Sequence, residues 1–359
     1  MNSHSPDMKK TILLDLTNIK NPTCGFGQIA VNYAQKFSEL RLPDLRFAFV
    51  LPEGYEGKIE GEDVDCYYVK RRSANSYAAI PKVDLWHFVN QNLRLSNGKE
   101  GQKQVLTIHD LNYLREKGWL SRMKHKLLLR RQIRQADAIT TISHFVGEEI
   151  KEHFHLGEKP MQVIYNGVER IDTKSQQKPA FVGDRPFFFT IGQIRMKKNF
   201  HLLLDVMKAF PDKELYIAGD DHFAAGELIR TRIEQENITN VHLVGKVFDP
   251  ERTWLYAHCE AFLFPSQGEG FGLPVIEAMQ FSRAVFVAPC TCLPEIAGDY
   301  AYVWKDLRTE TLVEGIKEFL PHFYEDEKRM QAIKQYALSF SYERHIEQYI
   351  ELYRKLLSV

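Results

Sequence analysis

The stretch from Ser266 to Met279 reads Ser-Gln-Gly-Glu-Gly-Phe-Gly-Leu-Pro-Val-Ile-Glu-Ala-Met, which combines a glycine-rich loop, a helix start and two carboxylates. Its alternating glycines permit positive φ angles and a close approach of the backbone to a ligand. Because proline suits the first helical position, we predict a helix that begins at Pro274 and carries Glu277 in its first turn. The free N–H groups and positive end of that helix would face the loop, which favours diphosphate binding.

The two acids of this stretch, Glu269 and Glu277, are separated by seven residues. The spacing and the pattern Glu-Gly-Phe-Gly-Leu-Pro-x-x-Glu-Ala-Met resemble those of the retaining GT-B glycosyltransferases of family four. The resemblance implies that Glu277 binds the nucleotide ribose and that Glu269 is a catalytic residue beside the donor sugar. It also implies donor contacts from the residues that follow Glu269, namely Gly270, Phe271, Gly272 and Leu273. In the alternative interpretation, Glu277 only complements the helix dipole and Glu269 is a solvated loop acid.

Length and composition are typical of a soluble protein with two domains. The 359 residues exceed the size at which a single core usually keeps growing. Lys and Arg total 47, as do Asp and Glu, so no overall charge attracts the chain to nucleic acid. The five cysteines include no C-x-x-C pair, and the amino-terminal region has no long apolar run. We therefore predict that the protein is cytoplasmic or is attached peripherally to the cytoplasmic face of a membrane.

The order of apolar and helical patterns predicts an α/β fold. Short apolar runs rich in β-branched and aromatic residues alternate with longer helical patterns, which indicates parallel sheets with crossover helices. The polar stretch 170–179 lacks apolar periodicity and is interpreted as a linker. We therefore predict two doubly wound, Rossmann-like domains over 1–169 and 182–341. The resemblance implies a GT-B arrangement, in which the domains face each other across a crevice and a helix over 342–359 packs back on the first.

A basic loop follows the first predicted strand of the second domain and reads Gly-Gln-Ile-Arg-Met-Lys-Lys-Asn over 192–199. Strand carboxyl ends line the ligand crevice of doubly wound folds, and cations there would stabilise a diphosphate leaving group. By resemblance, Lys198 is the diphosphate-binding lysine. Arg195 is our candidate for the partner arginine, although relatives carry it at positions that hold Gln193 and Lys197 here. The alternative is a solvated basic loop.

The first domain contributes further candidates. His109 and Asp110 end the hydrophobic run Val105-Leu106-Thr107-Ile108, and the resemblance implies that His109 is catalytic, reaching the donor sugar near the reacting carbon. Alternatively, the pair forms a strand-end turn in which Asp110 caps the next element. Gly27 would let the backbone approach the diphosphate or the acceptor, although a plain strand-to-helix connection explains it equally well. We predict that Ser143 is a helix N-cap.

The resemblance also bears on the nucleobase and on metal ions. Backbone groups of 244–247, ending at Val247, are implied to contact the base. The stretch Asp63-Val64-Asp65 matches the D-x-D pattern of metal-dependent glycosyltransferases, but it precedes a strand in an acidic segment and is better interpreted as an exposed turn. Because a helix dipole with Arg195 and Lys198 can stabilise the leaving group, we predict no metal and no cofactor, only a donor substrate that is a UDP-sugar or a GDP-sugar.

The motifs, together with what the resemblance implies, predict a retaining, metal-independent glycosyltransferase of cell-surface polysaccharide biosynthesis. Its partners would be a nucleotide-sugar donor and a glycan or lipid-linked acceptor, with no nucleic acid. Two alternatives share the fold: a non-catalytic sugar-nucleotide-binding scaffold, and a GT-B epimerase or phosphorylase, against which the motif of 268–279 argues.

One further segment, 117–136, is rich in Lys and Arg, contains no acid, and spaces its apolar residues approximately as a helix does. It is either a basic amphipathic helix that contacts an anionic membrane surface or a crossover helix whose leucines face the core. We favour the crossover helix.

Overall fold

The structure is a computed structural model that describes residues 9–21, 25–59, 64–70, 79–92 and 101–359. It divides into two compact units, of which the first comprises Met1–Tyr165 and Tyr342–Val359 and the second Asn166–Ser341. Residues 170–179, which we interpreted as a linker, lie within the second unit. There the Ile171 N–H donates to Gln280 Oε1 at 3.0 Å, and the Gln177 N–H donates to the Pro250 carbonyl at 3.0 Å.

The first unit contains a parallel sheet of seven strands. These are β1 (Lys10–Asp15), β2 (Leu45–Pro52), β3 (Val64–Val69), β4 (Leu85–Phe88), β5 (Lys103–Ile108), β6 (Ala138–Thr141) and β7 (Met161–Val163). Their order in the sheet is β3-β2-β1-β4-β5-β6-β7. The inner strands are almost wholly buried, which explains their near-continuous apolar sequences. The helices that follow are α1 (Gly25–Ser38), α2 (Tyr113–Glu116), α3 (Trp119–Gln135) and α4 (His144–His153).

The second unit contains a parallel sheet of six strands in the order β10-β9-β8-β11-β12-β13. These strands are β8 (Phe187–Ile191), β9 (Glu214–Ala218), β10 (Val241–Gly245), β11 (Ala261–Phe264), β12 (Ala284–Val287) and β13 (Tyr302–Val303). Its helices are α5 (Leu202–Met207), α6 (Ala224–Gln235), α7 (Asp249–His258), α8 (Leu273–Gln280), α9 (Leu293–Ala297), α10 (Thr309–Phe323) and α11 (Glu327–Leu338). Both sheets are doubly wound, so the predicted fold class is confirmed.

The last helix, α12 (Tyr342–Leu357), belongs to the first unit. Its apolar side packs into the core of that unit, and its polar groups join a buried hydrogen-bond network. Tyr353 Oη lies 2.7 Å from Nδ1 of His87, and Tyr349 Oη lies 2.9 Å from Oγ1 of Thr107. Burial lowers the pKa of His87 to about 3, so the histidine is neutral in the folded protein.

Ser143 lies between β6 and α4 and caps the helix. Its Oγ accepts the N–H of Val146 at 3.3 Å, so the predicted N-cap is confirmed.

Candidate active site

The second unit has its topological switch point between β8 and β11. These two strands pair in parallel, and the strand order runs in opposite directions on either side of them. In doubly wound sheets, ligands bind outside the strand carboxyl ends at such a point. The loop 192–199 follows β8 and the loop 265–272 follows β11, so both predicted donor-binding segments lie there.

The two loops are held together by hydrogen bonds. Asn199, which adopts a left-handed conformation with φ of 55°, donates through Nδ2 to the carbonyl of Pro265 at 3.0 Å. The N–H of Gln267 donates to the carbonyl of Lys197 at 2.8 Å. These contacts fix the position of the basic loop relative to the glycine-rich loop.

A neighbouring contact explains why residue 219 is a glycine. Gly219, which follows β9, has φ of +132°, and a Cβ atom there would lie 1.8 Å from the carbonyl oxygen of Gly192. The loops after β8 and β9 therefore approach each other more closely than a side chain at position 219 would allow.

Lys198 and Glu269 form an ion pair at the switch point. The Lys198 ammonium donates to Oε1 of Glu269, and the Ser266 hydroxyl donates to the same oxygen at 2.6 Å. The two charged side chains are only 12% and 13% exposed. The ammonium also lies 5.0 Å from the ring centroid of Phe264. The structure thus places Lys198, our predicted diphosphate ligand, in contact with Glu269, which we predicted to be catalytic, and adds Ser266 as a partner of the glutamate.

Helix α8 begins at Leu273, one residue before the predicted start. Gly272 is the N-cap with φ of +100°, and a Cβ atom there would lie 2.9 Å from Cδ2 of Leu293. Pro274 is therefore the second helical residue and Glu277 the fifth, so our placement of Glu277 in the first turn was wrong.

Glu277 is held by a neighbouring helix. Its Oε2 accepts a hydrogen bond from the hydroxyl of Tyr256 in α7 at 2.8 Å. Burial, together with the charge of Glu277, raises the pKa of Tyr256 well above its usual value, so the phenol remains a donor. The sequence did not point to Tyr256 as a partner.

The other predicted donor-binding residues of the second unit differ in exposure. Arg195 is exposed, its guanidinium lies 3.9 Å from the ring centroid of Phe223, and its Nε donates to Gln193 Oε1 at 3.2 Å. Phe271 is buried and its ring meets that of Phe340, so only its backbone is available to a donor. Gly270, Leu273 and Val247 are half-buried.

His109 follows β5 in the first unit and is buried. Its Nε2 donates to the carbonyl of Val89 at 2.8 Å, and its N–H donates to Oε1 of Gln91 at 3.0 Å. Since a carbonyl can only accept, Nε2 carries the hydrogen and Nδ1 keeps its lone pair. Burial lowers the pKa of His109, which keeps the ring neutral.

The remaining predicted positions of the first unit have structural surroundings. Asp110 Oδ1 accepts the N–H of Asn112 at 3.0 Å, which closes a turn before α2 but gives no side-chain cap to it. Gly27 is buried in the first turn of α1.

Asp63 of the D-x-D match lies outside the described residues, and Asp65 pairs with Arg46 at 3.3 Å. Within the described ranges, one group of side chains has the spacing of metal ligands, formed by Asp220, Asp221 and His222. Its members already have partners. Asp220 contacts His222 at 2.7 Å and Lys246 at 3.0 Å, and these hydrogen bonds lower the pKa of Asp220 to about 2. Asp221 pairs with Arg230.

A search of the helices in the described ranges finds none with the length and apolar character needed to cross a bilayer.

Comparison with known proteins identifies relatives of both units. The family described as "Glycosyl transferases group 1" matches residues 171–340, and the family described as "Glycosyltransferase Family 4" matches residues 68–170. The O-antigen chain mannosyltransferase RfbU of Salmonella typhimurium (strain LT2) is 24% identical over 198 residues, which cover 54% of this chain and 54% of RfbU. The serotype-specific mannosyltransferase WbdA of Escherichia coli is 26% identical over 262 residues, which cover 67% of this chain and 31% of WbdA. The chain thus spans about half of RfbU and less of WbdA.

Solved structures with the same fold cover nearly the whole chain. HepE of Anabaena, crystallised in complex with UDP-glucose, aligns with a TM-score of 0.72 at 15% identity, over 97% of this chain and 100% of HepE. Sucrose-phosphate synthase from Thermosynechococcus elongatus aligns with a TM-score of 0.71 at 16% identity, over 98% of this chain and 100% of the synthase. At these identities the likeness establishes the GT-B fold alone. Together the two family matches run without a gap from residue 68 to residue 340, and the chain belongs to the group 1 glycosyltransferases of family four.

Proposed function

We propose that the protein transfers a sugar from a nucleoside diphosphate sugar to a glycan or lipid-linked acceptor, with retention at the anomeric carbon and without a metal ion. The observation that carries the proposal is the ion pair of Lys198 and Glu269 at the switch point of the second unit. A cation beside a helix start suits the diphosphate, and a fixed carboxylate next to it suits the hydroxyl groups of the sugar.

Each residue has a chemical role in this proposal. Lys198 and Arg195 neutralise the charge that develops on the leaving diphosphate, and Glu269 orients the sugar. The bond between the anomeric carbon and the phosphate oxygen breaks while the acceptor oxygen bonds to that carbon on the same face. The acceptor proton passes to an oxygen of the leaving phosphate. The neutral ring of His109 would offer Nδ1 as an acceptor to a sugar hydroxyl.

The relatives suggest which sugar to test first. RfbU and WbdA are both named as mannosyltransferases, and the name of RfbU also specifies the O-antigen chain. We therefore propose mannose as the transferred sugar and a cell-surface polysaccharide as the product. A thermal-shift panel of UDP-, GDP- and ADP-sugars would identify the donor, because a ligand at about 100 times its Kd adds roughly 2.7 kcal/mol to stability. Turnover of that donor with a glycan acceptor would exclude a non-catalytic scaffold, and an inverted product anomer would contradict retention.

We expect Glu277→Ala to weaken nucleotide binding by roughly tenfold or more, because a hydrogen bond to a charged group is worth about 1.5 kcal/mol or more. Tyr256→Phe removes only the donor that orients Glu277 and should weaken binding by roughly threefold. In contrast, Glu269→Ala should mainly lower kcat. Calorimetry with the nucleoside diphosphate and steady-state kinetics separate these effects.

A matched control for Tyr256→Phe is Tyr324→Phe. Tyr324 is a half-buried tyrosine of the same unit, and its hydroxyl donates to the Glu260 carbonyl at 2.6 Å. This variant should lose stability without a change in Kd. If Glu277→Ala binds the nucleotide as tightly as the unmodified protein, the assignment of the ribose to Glu277 is wrong.

Chelation tests the proposed independence from metal. EDTA should leave the rate of sugar transfer unchanged, because Lys198, Arg195 and the start of α8 supply the positive charge. Activity that disappears with EDTA and returns with Mn²⁺ would contradict this mechanism and would direct attention to Asp63 and Asp65.

A further inference from the structure

Helix α3 exposes an unusual amount of apolar surface. Trp119, Leu120 and Leu127 are 72%, 76% and 60% exposed, and Met123 and Leu128 are exposed as well. Five of the ten large apolar side chains that are exposed among the described residues lie on this one helix. Solvent-exposed apolar groups concentrated on one helix indicate a contact surface rather than chance exposure.

These side chains do not belong to the core contact of α3. Only Leu129, Gln132 and Ile133 are buried in this helix, and Leu129 and Ile133 join the core of the first unit. At about 100° per residue, Leu120, Met123 and Leu127 lie together on the side opposite that buried strip, and Trp119 lies between this group and Ile133. Our expectation that the leucines face the core therefore holds for Leu129 alone.

The same exposed side carries a high positive charge. No acid occurs from residue 117 to residue 136. Arg130, Arg131 and Arg134 are exposed in the second half of the helix, after the apolar side chains of its first half. Within the described part of the chain, no carboxylate lies within ion-pair distance of these three arginines. We refer to Trp119, Leu120, Met123, Leu127 and Leu128 with these arginines as the α3 surface.

We propose that the α3 surface binds the surface of an anionic lipid bilayer. Trp and Leu side chains enter the boundary between headgroups and acyl chains, while arginines pair with lipid phosphates. A second copy of the chain would bring two positive surfaces together, which opposes self-association. A nucleic acid would use the arginines but leave the apolar side chains in water. The proposal depends on neither nucleotide binding nor sugar transfer, and it favours a lipid-linked acceptor among those considered above.

Co-sedimentation with vesicles tests the proposal without donor or acceptor. We expect the protein to pellet at low salt with vesicles of phosphatidylglycerol and phosphatidylethanolamine, and to stay in solution with pure phosphatidylcholine. Because each basic residue contributes about a fivefold gain in binding, Arg130→Gln, Arg131→Gln and Arg134→Gln combined should bind roughly 100-fold more weakly. A matched control replaces three exposed lysines of the first unit that lie outside α3. These are Lys82, Lys151 and Lys355, and the triple glutamine variant should bind the vesicles as the unmodified protein does.

Tryptophan fluorescence gives a second measurement. Trp119 is the exposed member of the four tryptophans, since Trp86 and Trp304 are buried and Trp254 is half-buried. Anionic vesicles should therefore shift the emission to shorter wavelength, and Trp119→Phe should abolish the shift. The proposal is overturned if the protein remains in the supernatant with anionic vesicles, if the arginine variant binds like the control, or if pelleting occurs without vesicles through self-association.

Discussion

Lys198→Ala is expected to lower kcat/KM by about two orders of magnitude, the usual loss when a charge partner of the transition state is removed. Lys198 is a mostly buried cation at the switch point of the second unit, and its ammonium contacts Glu269. Removal of Lys198 deprives the leaving diphosphate of a cation. Of the two contacts that Glu269 makes with Lys198 and Ser266, only the hydrogen bond from Ser266 then remains. Initial-rate kinetics with the identified donor measure the loss. Arg195→Ala and Lys197→Ala in parallel would show which neighbouring residue is the second diphosphate ligand.

The matched control for this variant is Lys213→Ala. Lys213 is also mostly buried, pairs with Glu260 at 2.5 Å, and lies 5.9 Å from the ring centroid of Phe188. It precedes β9 at the amino-terminal edge of the same sheet, away from the switch point. Lys213→Ala should therefore reduce stability and leave kcat/KM unchanged. Equal kinetics for the two variants would contradict the role of Lys198.

The largest effect on stability is expected from Gly219→Ala. The new methyl group would overlap the carbonyl oxygen of Gly192, and the residue would have to keep a φ of +132°. Strain of this conformation and displacement of the backbone each cost about 1 to 3 kcal/mol, so the second unit should lose roughly 3 kcal/mol or more. Urea unfolding followed by the fluorescence of Trp254 and Trp304, which belong to this unit, measures the change.

Gly183→Ala is the control for the glycine substitution. Gly183 lies in the same unit, has no positive φ, and has no other group within 4 Å of a Cβ atom. Its replacement should change the unfolding free energy by less than about 1 kcal/mol. A Gly219→Ala protein as stable as this control would show that the loops after β8 and β9 can separate at little cost.

The fold could be predicted from the sequence because strands buried on both faces have continuous apolar sequences. The alternation of apolar runs with helical patterns predicted the parallel sheets of both units, but this signal is weakest for β7 at 161–163. It is a short edge strand with half-buried residues, so its apolar pattern is weak. The start of α8 was misplaced by one residue because the preference of proline for the first helical position pointed to Pro274, whereas Gly272 with φ of +100° is the N-cap and Leu273 the first helical residue.

In the candidate site, contacts between residues close in sequence could be predicted, whereas contacts between separate elements could not. Ser266 lies three residues before Glu269, so a local pattern could have revealed this hydrogen bond. Tyr256 reaches Glu277 from α7, and only the packing of two helices determines that pairing. For α3, periodicity could not decide which leucines are buried, because apolar residues occur on more than one side of that helix.

The position of α12 also bears on the order of folding during synthesis. The first unit needs Tyr349 and Tyr353 in its core, yet the ribosome makes these residues only after the entire second unit. Until then, His87 and Thr107 lack the tyrosine hydroxyl groups that they contact in the folded protein, and the apolar surface that α12 covers stays exposed. The second unit is continuous in sequence and can fold as soon as it emerges. Folding of the first unit therefore cannot be complete before the second unit has been made, and the chain passes through a stage in which the core of the first unit lacks its last helix.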